Sequence, residues 1–253
     1  MRPTHCTTKH DKTKNMDTSK TEEFRTEFRQ GIPTAYNGIR HAGVILAIGA
    51  LAVGICLSLL RSPLRWWDWL IIPCVVLGWN ALEWYGHRAL HRPGSSAFSK
   101  ALYKRHALTH HRFFTTQMAS LRDTRDLKIV FFPTFALPAI IALSLAPACL
   151  LWAVGSLNAA LLLVATTVIM YLLFEALHLC AHLPSEVWIT RLPIINTMCR
   201  HHRAHHNPKL MPTTNMNFTL PWADWYFKSC DLDRGFWGTT FNGDSTRHVR
   251  EKP

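Results

Sequence analysis

Residues 150–182 read LLWAVGSLNAALLLVATTVIMYLLFEALHLCAH. The run from Leu150 to about Leu177 carries no charge before Glu175, and as a helix it is long enough to cross about 30 Å of hydrocarbon. It passes without a break into His178 and His182. Imidazoles four residues apart leave one face of a helix together. The stretch therefore predicts a membrane helix that delivers two ligand nitrogens at its end.

The first half of the chain repeats this arrangement. Residues 81–91, ALEWYGHRALH, place Glu83 ahead of His87 and His91. Each H-x3-H pair is followed some fifteen to twenty residues on by a denser cluster, His106, His110 and His111 in the first half, His202, His205 and His206 in the second, with His201 adjoining. Ten of the fifteen histidines fall into these four clusters. The pattern suggests two helical hairpins, each supplying half of one site.

Three further apolar runs stand beside the quoted one. They cover Ala42 to Leu60, Trp66 to about Gly86 with Asp68 and Glu83 near its ends, and Ile129 to about Ala146, with Pro147 marking the turn into the last. The expected fold is an all-α integral membrane protein, four transmembrane helices carrying a cytoplasmic helical cap with a histidine-rich dimetal site. A cytoplasmic N-terminus puts all four clusters on one face. Lysine and arginine counts agree: 26 of 28 lie on the histidine side and two in the loop 61–65, as the positive-inside rule requires.

Residues 1–40 read as a polar, basic N-terminal arm, flexible or lying on the membrane surface, 41–230 as the transmembrane domain that carries the histidine clusters and 231–253 as a polar tail. The first apolar run lies too far from the N-terminus for an ordinary cleaved signal peptide. The formal charge of +12 is accounted for by anionic headgroups. No interleaving of basic and aromatic residues suggests a nucleic-acid surface, so no nucleic-acid partner is expected. Seven cysteines, odd in number and without a C-x2-C pair, argue against a disulfide framework. Cys180 and Cys199 read as small packing residues.

Ten imidazoles exceed the four ligands of a structural zinc site. They suffice for two metals with about five ligands each and an open position on both. Imidazole alone does not choose among iron, copper, nickel and zinc.

With boxes H-x3-H, H-x3-HH, H-x3-H and H-x2-HH on four spans, the chain resembles the membrane fatty acid hydroxylase and sterol desaturase superfamily over roughly residues 66–230. Residues Asn215 to Phe218 and Trp222 to Phe227 are similar to that family's aromatic and aspartate segment. The resemblance implies a di-iron centre, two iron ions with O2 as co-substrate. It would hydroxylate or desaturate an unactivated C–H bond of a fatty acyl chain, sterol or related lipid, with two electrons. It implies His87, His91, His106, His110, His111, His178, His182, His202, His205 and His206 as metal ligands. Either His201 or His202 fits the first position of the last box; we take His202, with His201 supporting it. No cytochrome b5-like segment is appended, His91-Arg92-Pro93-Gly94 only superficially resembling its haem loop. A separate electron donor is therefore expected, of cytochrome b5, ferredoxin or reductase type.

The second box is one residue longer than the H-x2-HH of many members, which puts His111 about 140° from His106 on an ideal α-helix. Glu83 and Glu175, costly at membrane depth, are expected to accept imidazole N–H groups and fix their tautomers. Asp224 is a weaker candidate among Trp222, Trp225, Tyr226 and Phe227, which suit an interfacial anchor. Trp66, Trp67 and Trp69 read as headgroup-level anchors.

A histidine-rich metal transporter or metal-binding membrane protein competes with this reading. It would place ligands deep within several spans, whereas these clusters follow the spans. A membrane cytochrome would need single, separated axial histidines. Carotenoid hydroxylases and alkane oxygenases use similar boxes, so the hydrocarbon stays open, as does the choice between bacterial inner membrane and endoplasmic reticulum.

Overall fold

The computed structural model describes residues 9–250. Eleven helices account for the regular structure of the described residues: α1 Lys9–Gln30, α2 Gly38–Ser58, α3 Ile71–Leu90, α4 Ala97–Tyr103, α5 His111–Phe113, α6 Leu127–Val130, α7 Ala136–Ala153, α8 Leu157–His182, α9 Ile195–His205, α10 Trp222–Tyr226 and α11 Phe236–Thr240, besides short 3₁₀ turns and one π-helical segment, Lys104–His110.

Helix α8 is the axis. Ala159, Ala160, Leu162 to Ala165, Val168, Met170 and Tyr171 are buried along its length, enclosed by α2, α3 and α7. Gly49 allows the close approach of α2, since a Cβ there would lie 2.7 Å from Leu172. Ile45, Phe113, Ile129, Phe131, Leu137 and Tyr171 continue this core toward the histidines.

Three helices among the described residues are long and apolar enough to cross a membrane: α2, α7 and α8. The second expected span begins as a 3₁₀ turn, Trp66–Leu70, before α3. Helix α3 has the length, but from its middle onward it carries Asn80, Glu83, His87 and Arg88 and is too polar to qualify by composition.

The third expected span is displaced. Ile129 and Val130 belong to the short, buried α6, and α7 starts only beyond Pro133. Pro147 lies inside α7 instead of ending it, as membrane helices tolerate. The turn into α8 comes at Gly155, whose φ of +85° suits glycine. There the Ser156 N–H donates to Leu151 C=O and the Gly155 N–H to Trp152 C=O, both at 2.9 Å, the paired bonds of a Schellman stop.

The two ends of the chain also differ from the sequence reading. Of the basic arm, residues 9–30 are helical, and α1 is seated on the cap through the wholly buried Arg25 and a bidentate pair between Arg29 and Asp126 at 2.8 and 2.9 Å. Residues 1–8 lie outside the described residues. The expected polar tail folds back on α9: Leu232 is buried, Asp231 receives Arg200 at 2.8 and 2.6 Å, and Gly243 N–H reaches Thr197.

Candidate metal centre

The last turns of α3 and α8, the π-helical segment and α9 converge beyond the apolar part of the bundle. Their histidines form two groups whose ligand nitrogens lie within 4.8 Å of one another: His87, His91, His106, His111 and His205, and His110, His182, His202 and His206. His178 adjoins the second, its Nε2 3.3 Å from that of His110. All but the half-buried His91 are buried. His201 turns away, its Nε2 2.9 Å from Asp224 Oδ2, and His202 occupies the cluster.

The π-helix explains the box that is one residue longer. His111 N–H bonds to His106 C=O, the i to i+5 pattern that defines this winding. Residues five apart come to one face, and the 140° divergence of an α-helix disappears. His106 and His111 enter the first group, their Nε2 atoms 3.2 Å apart, while His110 enters the second.

Tautomers settle what the short nitrogen contacts mean. A carbonyl only accepts, so His87 Nδ1–H donates to Met216 C=O (2.6 Å), His205 Nδ1–H to Thr214 (2.7 Å), His206 Nδ1–H to Phe114 (2.7 Å) and His182 Nδ1–H to Ala119 (2.8 Å). Each neutral ring then offers a lone pair at Nε2. Those Nε2 atoms face one another across 2.9 Å for His87–His106, 3.0 Å for His91–His205, 3.1 Å for His182–His202 and 3.0 Å for His206–His202. Two ligands about 2.1 Å from one metal, at octahedral or tetrahedral angles, sit about 3.0–3.4 Å apart. The observed separations match the edges of such a polyhedron, and the donor sets fit two metal ions.

Burial, reinforced by neighbouring imidazoles, pushes His106, His110, His111, His202 and His205 well below the usual imidazole range, and burial brings His91 and His206 to about 4. The rings are thus neutral at physiological pH, the form that binds metal.

The carboxylates serve the site less directly than expected. Glu83 does not reach an imidazole. It accepts from the N–H groups of Phe218 and Thr219 and from the Thr219 hydroxyl, fastening the loop whose Met216 carbonyl orients His87. Glu175 accepts from Phe132 N–H (3.1 Å) and Tyr171 O–H (2.7 Å), again not from histidine. The fully buried Asp224 matters more than expected. It accepts from His201, the N–H groups of Met216 (2.9 Å) and Asn217 (2.7 Å), and the Ser229 hydroxyl (2.6 Å). Burial opposes its ionisation, but these donors prevail and hold it below the usual carboxylate range.

Sequence reasoning placed Phe218 in the family-like segment but gave it no role; its ring lies 4.6 Å from His87 and His202 and 4.9 Å from His178. That reasoning missed an apolar crevice that reaches His106, His110 and His178 between Leu90, Leu102, Ile129, Val130 and Phe132, with Arg105 its charged member. Arg105 donates to the carbonyls of Lys128 (3.0 Å) and Phe131 (2.6 Å) and so holds one wall.

A helical bundle with apolar spans and two imidazole groups able to hold metals defines a class of membrane metalloprotein. The fatty acid hydroxylase family model matches residues 72–229, more than half of the chain. The protein belongs to the fatty acid hydroxylase family, within the membrane fatty acid hydroxylase and sterol desaturase superfamily. Neither a curated protein nor a solved structure matches it significantly.

Proposed function

We propose that this protein is a membrane-bound di-iron oxidoreductase that hydroxylates or desaturates an unactivated C–H bond of a fatty acyl chain, sterol or related lipid. The observation that carries the reading is the pair of buried, neutral imidazole groups whose Nε2 lone pairs converge at ligand-edge spacing, in a chain of the fatty acid hydroxylase family. His87, His91, His106, His111 and His205 would hold one iron, and His110, His178, His182, His202 and His206 the other. When bound, the iron pair supplies reduction of O2 with two electrons and oxidation of the C–H bond.

The chain's own residues do the rest. Main-chain carbonyls of Phe114, Ala119, Thr214 and Met216 fix four ring orientations, which lowers the reorganisation needed on metal binding. Leu90, Leu102, Ile129, Val130 and Phe132 line the crevice toward His106, His110 and His178, an apolar approach to the cluster that must widen to admit a hydrocarbon chain. Electrons come from a separate donor of cytochrome b5, ferredoxin or reductase type.

In the proposed topology α3 completes four spans, its polar half meeting the cap, and the termini and histidine cluster are cytoplasmic. The 26 of 28 lysines and arginines on that side support it. Bacterial inner membrane and endoplasmic reticulum both suit this arrangement.

The test is elemental analysis and Mössbauer spectroscopy of detergent-purified protein, followed by mass spectrometry of lipids incubated with O2 and a reductant. About two irons per chain, a coupled diferric signal and a product heavier by one oxygen or lighter by two hydrogens are expected. One zinc, or no stable metal, overturns the reading.

A further inference from the structure

Helix α1 lies outside the segment that matches the family model, yet its Arg25 grips the loop whose carbonyls orient two of the clustered histidines. Arg25 is wholly buried. Its hydrogen bonds go to three main-chain carbonyls of one loop: Nε to Phe113 (2.7 Å), Nη2 to Met118 (2.5 Å) and Nη1 to Ser120 (3.2 Å). Two neighbouring carbonyls, those of Phe114 and Ala119, point the other way. Phe114 C=O accepts from His206 Nδ1–H and Ala119 C=O from His182 Nδ1–H. The Phe114 ring stacks on His182 at 3.9 Å, and the guanidinium lies over the rings of Phe113 and Phe114 at 4.8 and 5.5 Å.

We propose that Arg25 is a positioning residue of the metal centre: by gripping the carbonyls of Phe113, Met118 and Ser120 it aims those of Phe114 and Ala119 at His206 and His182. This rests on the metal-binding reading above. Both histidines belong to the second group, so the effect is confined to one of the two metals. The planar guanidinium suits the task, because its fork reaches several carbonyls at once where an ammonium would not. Burying a charge without a carboxylate in hydrogen-bond contact is costly, and the loop's geometry is what that cost secures. Helix α1 does not depend on Arg25 alone for its seat. Arg29 grips Asp126, Arg125 donates to Ile32 C=O at 2.8 Å, and Arg122 pairs with Glu22 at 3.1 Å.

The experiment compares Arg25→Gln, Arg25→Lys and Arg29→Gln with the wild-type chain by amide hydrogen exchange of the metal-free protein and by anaerobic ferrous iron titration. Arg25→Gln is expected to speed exchange over residues 113–121 and to weaken one of the two irons by about 10–100-fold while sparing the other. Arg29→Gln should leave both intact, and Arg25→Lys, which keeps the charge and loses the fork, should fall between. Unchanged exchange over 113–121 in Arg25→Gln overturns the proposal. So does equal weakening of both irons in Arg25→Gln and Arg29→Gln, which would make α1 a general stabiliser. If Arg25→Gln does not fold, Arg25→Lys decides by the same two readings. Should the wild-type chain bind no iron, the functional reading fails on its own, and the exchange comparison still judges the grip.

Discussion

His106 and His111 stand five residues apart and still bring their Nε2 atoms to 3.2 Å, because residues 104–110 wind as a π-helix. His110, next to His111 in the chain, belongs to the other imidazole group. Two adjacent residues thereby fall in different groups and, on the proposed function, would serve different metals. His111→Ala should weaken the ion shared with His87, His91, His106 and His205 by at least about tenfold, and His110→Ala should weaken the other. Metal competition titrations of the two variants check this. Identical losses in both would mean that the partition is wrong. His205→Ala, removing a ring pinned by Thr214 C=O, should abolish turnover together with the first ion, and normal turnover would refute the assignment.

Asp224 gathers four donors with no exposed surface. Asp224→Ala leaves the His201 ring and the N–H groups of Met216 and Asn217 without an acceptor and should destabilise the fold by about 3–5 kcal/mol. It also frees the Met216 peptide, whose carbonyl orients His87. The ion of the first group should be affected more than that of the second. Thermal melting paired with iron titration measures both effects; a change under about 1 kcal/mol would show that the network carries little.

Much of this was legible in sequence because it resides in side-chain identity. The ten clustered histidines, the apolar runs and the helical class follow from residue type and period. What was not legible depends on the main chain. The groups that orient His87, His182, His205 and His206 are carbonyls of Met216, Ala119, Thr214 and Phe114, and every residue has one. The expectation that Glu83 and Glu175 fill that role came from looking only at side chains. Pro147 was read as a stop because proline breaks soluble helices, whereas Gly155, which can take positive φ, makes the stop. The π-helix had a trace in the extra residue of H-x3-HH, which an i to i+5 winding absorbs. Docking of α1 had a weaker one in Phe24 and Phe28, four apart and both packed on the core.

Glu83 and Glu175 act on main-chain and hydroxyl donors instead of imidazoles, and amide substitution should be mild at Glu175. Both hydrogen bonds of Glu175 end on Oε1, which Gln reproduces, so Glu175→Gln should keep both irons and cost under about 1 kcal/mol. Glu83→Ala removes the acceptor for Phe218, Thr219 and the Thr219 hydroxyl. It should loosen the 216–219 loop and lower affinity for the first iron. Retention of full affinity in Glu83→Ala, with the melting temperature unchanged, would remove Glu83 from the architecture of the site.

The imidazole cluster makes the metal-free protein acid-sensitive, with a sign fixed by burial. His206 is brought down to about 4, chiefly by burial, against about 6.5 for an unfolded histidine. Between these values the unfolded chain binds the proton and the folded one does not. Stability is therefore full above about pH 6.5 and falls as the pH drops toward 4. His206 alone removes about 2 kcal/mol on going from pH 8 to pH 5. His106, His110, His111, His202 and His205, shifted the same way, add to the loss. Bound metal occupies the same lone pairs, so protons must displace it before the fold is lost, and the transition moves to lower pH. Thermal melts in detergent from pH 8 to pH 5, with and without ferrous iron, test this. A metal-free protein equally stable at both ends of that range would mean that the imidazoles are not held neutral by burial.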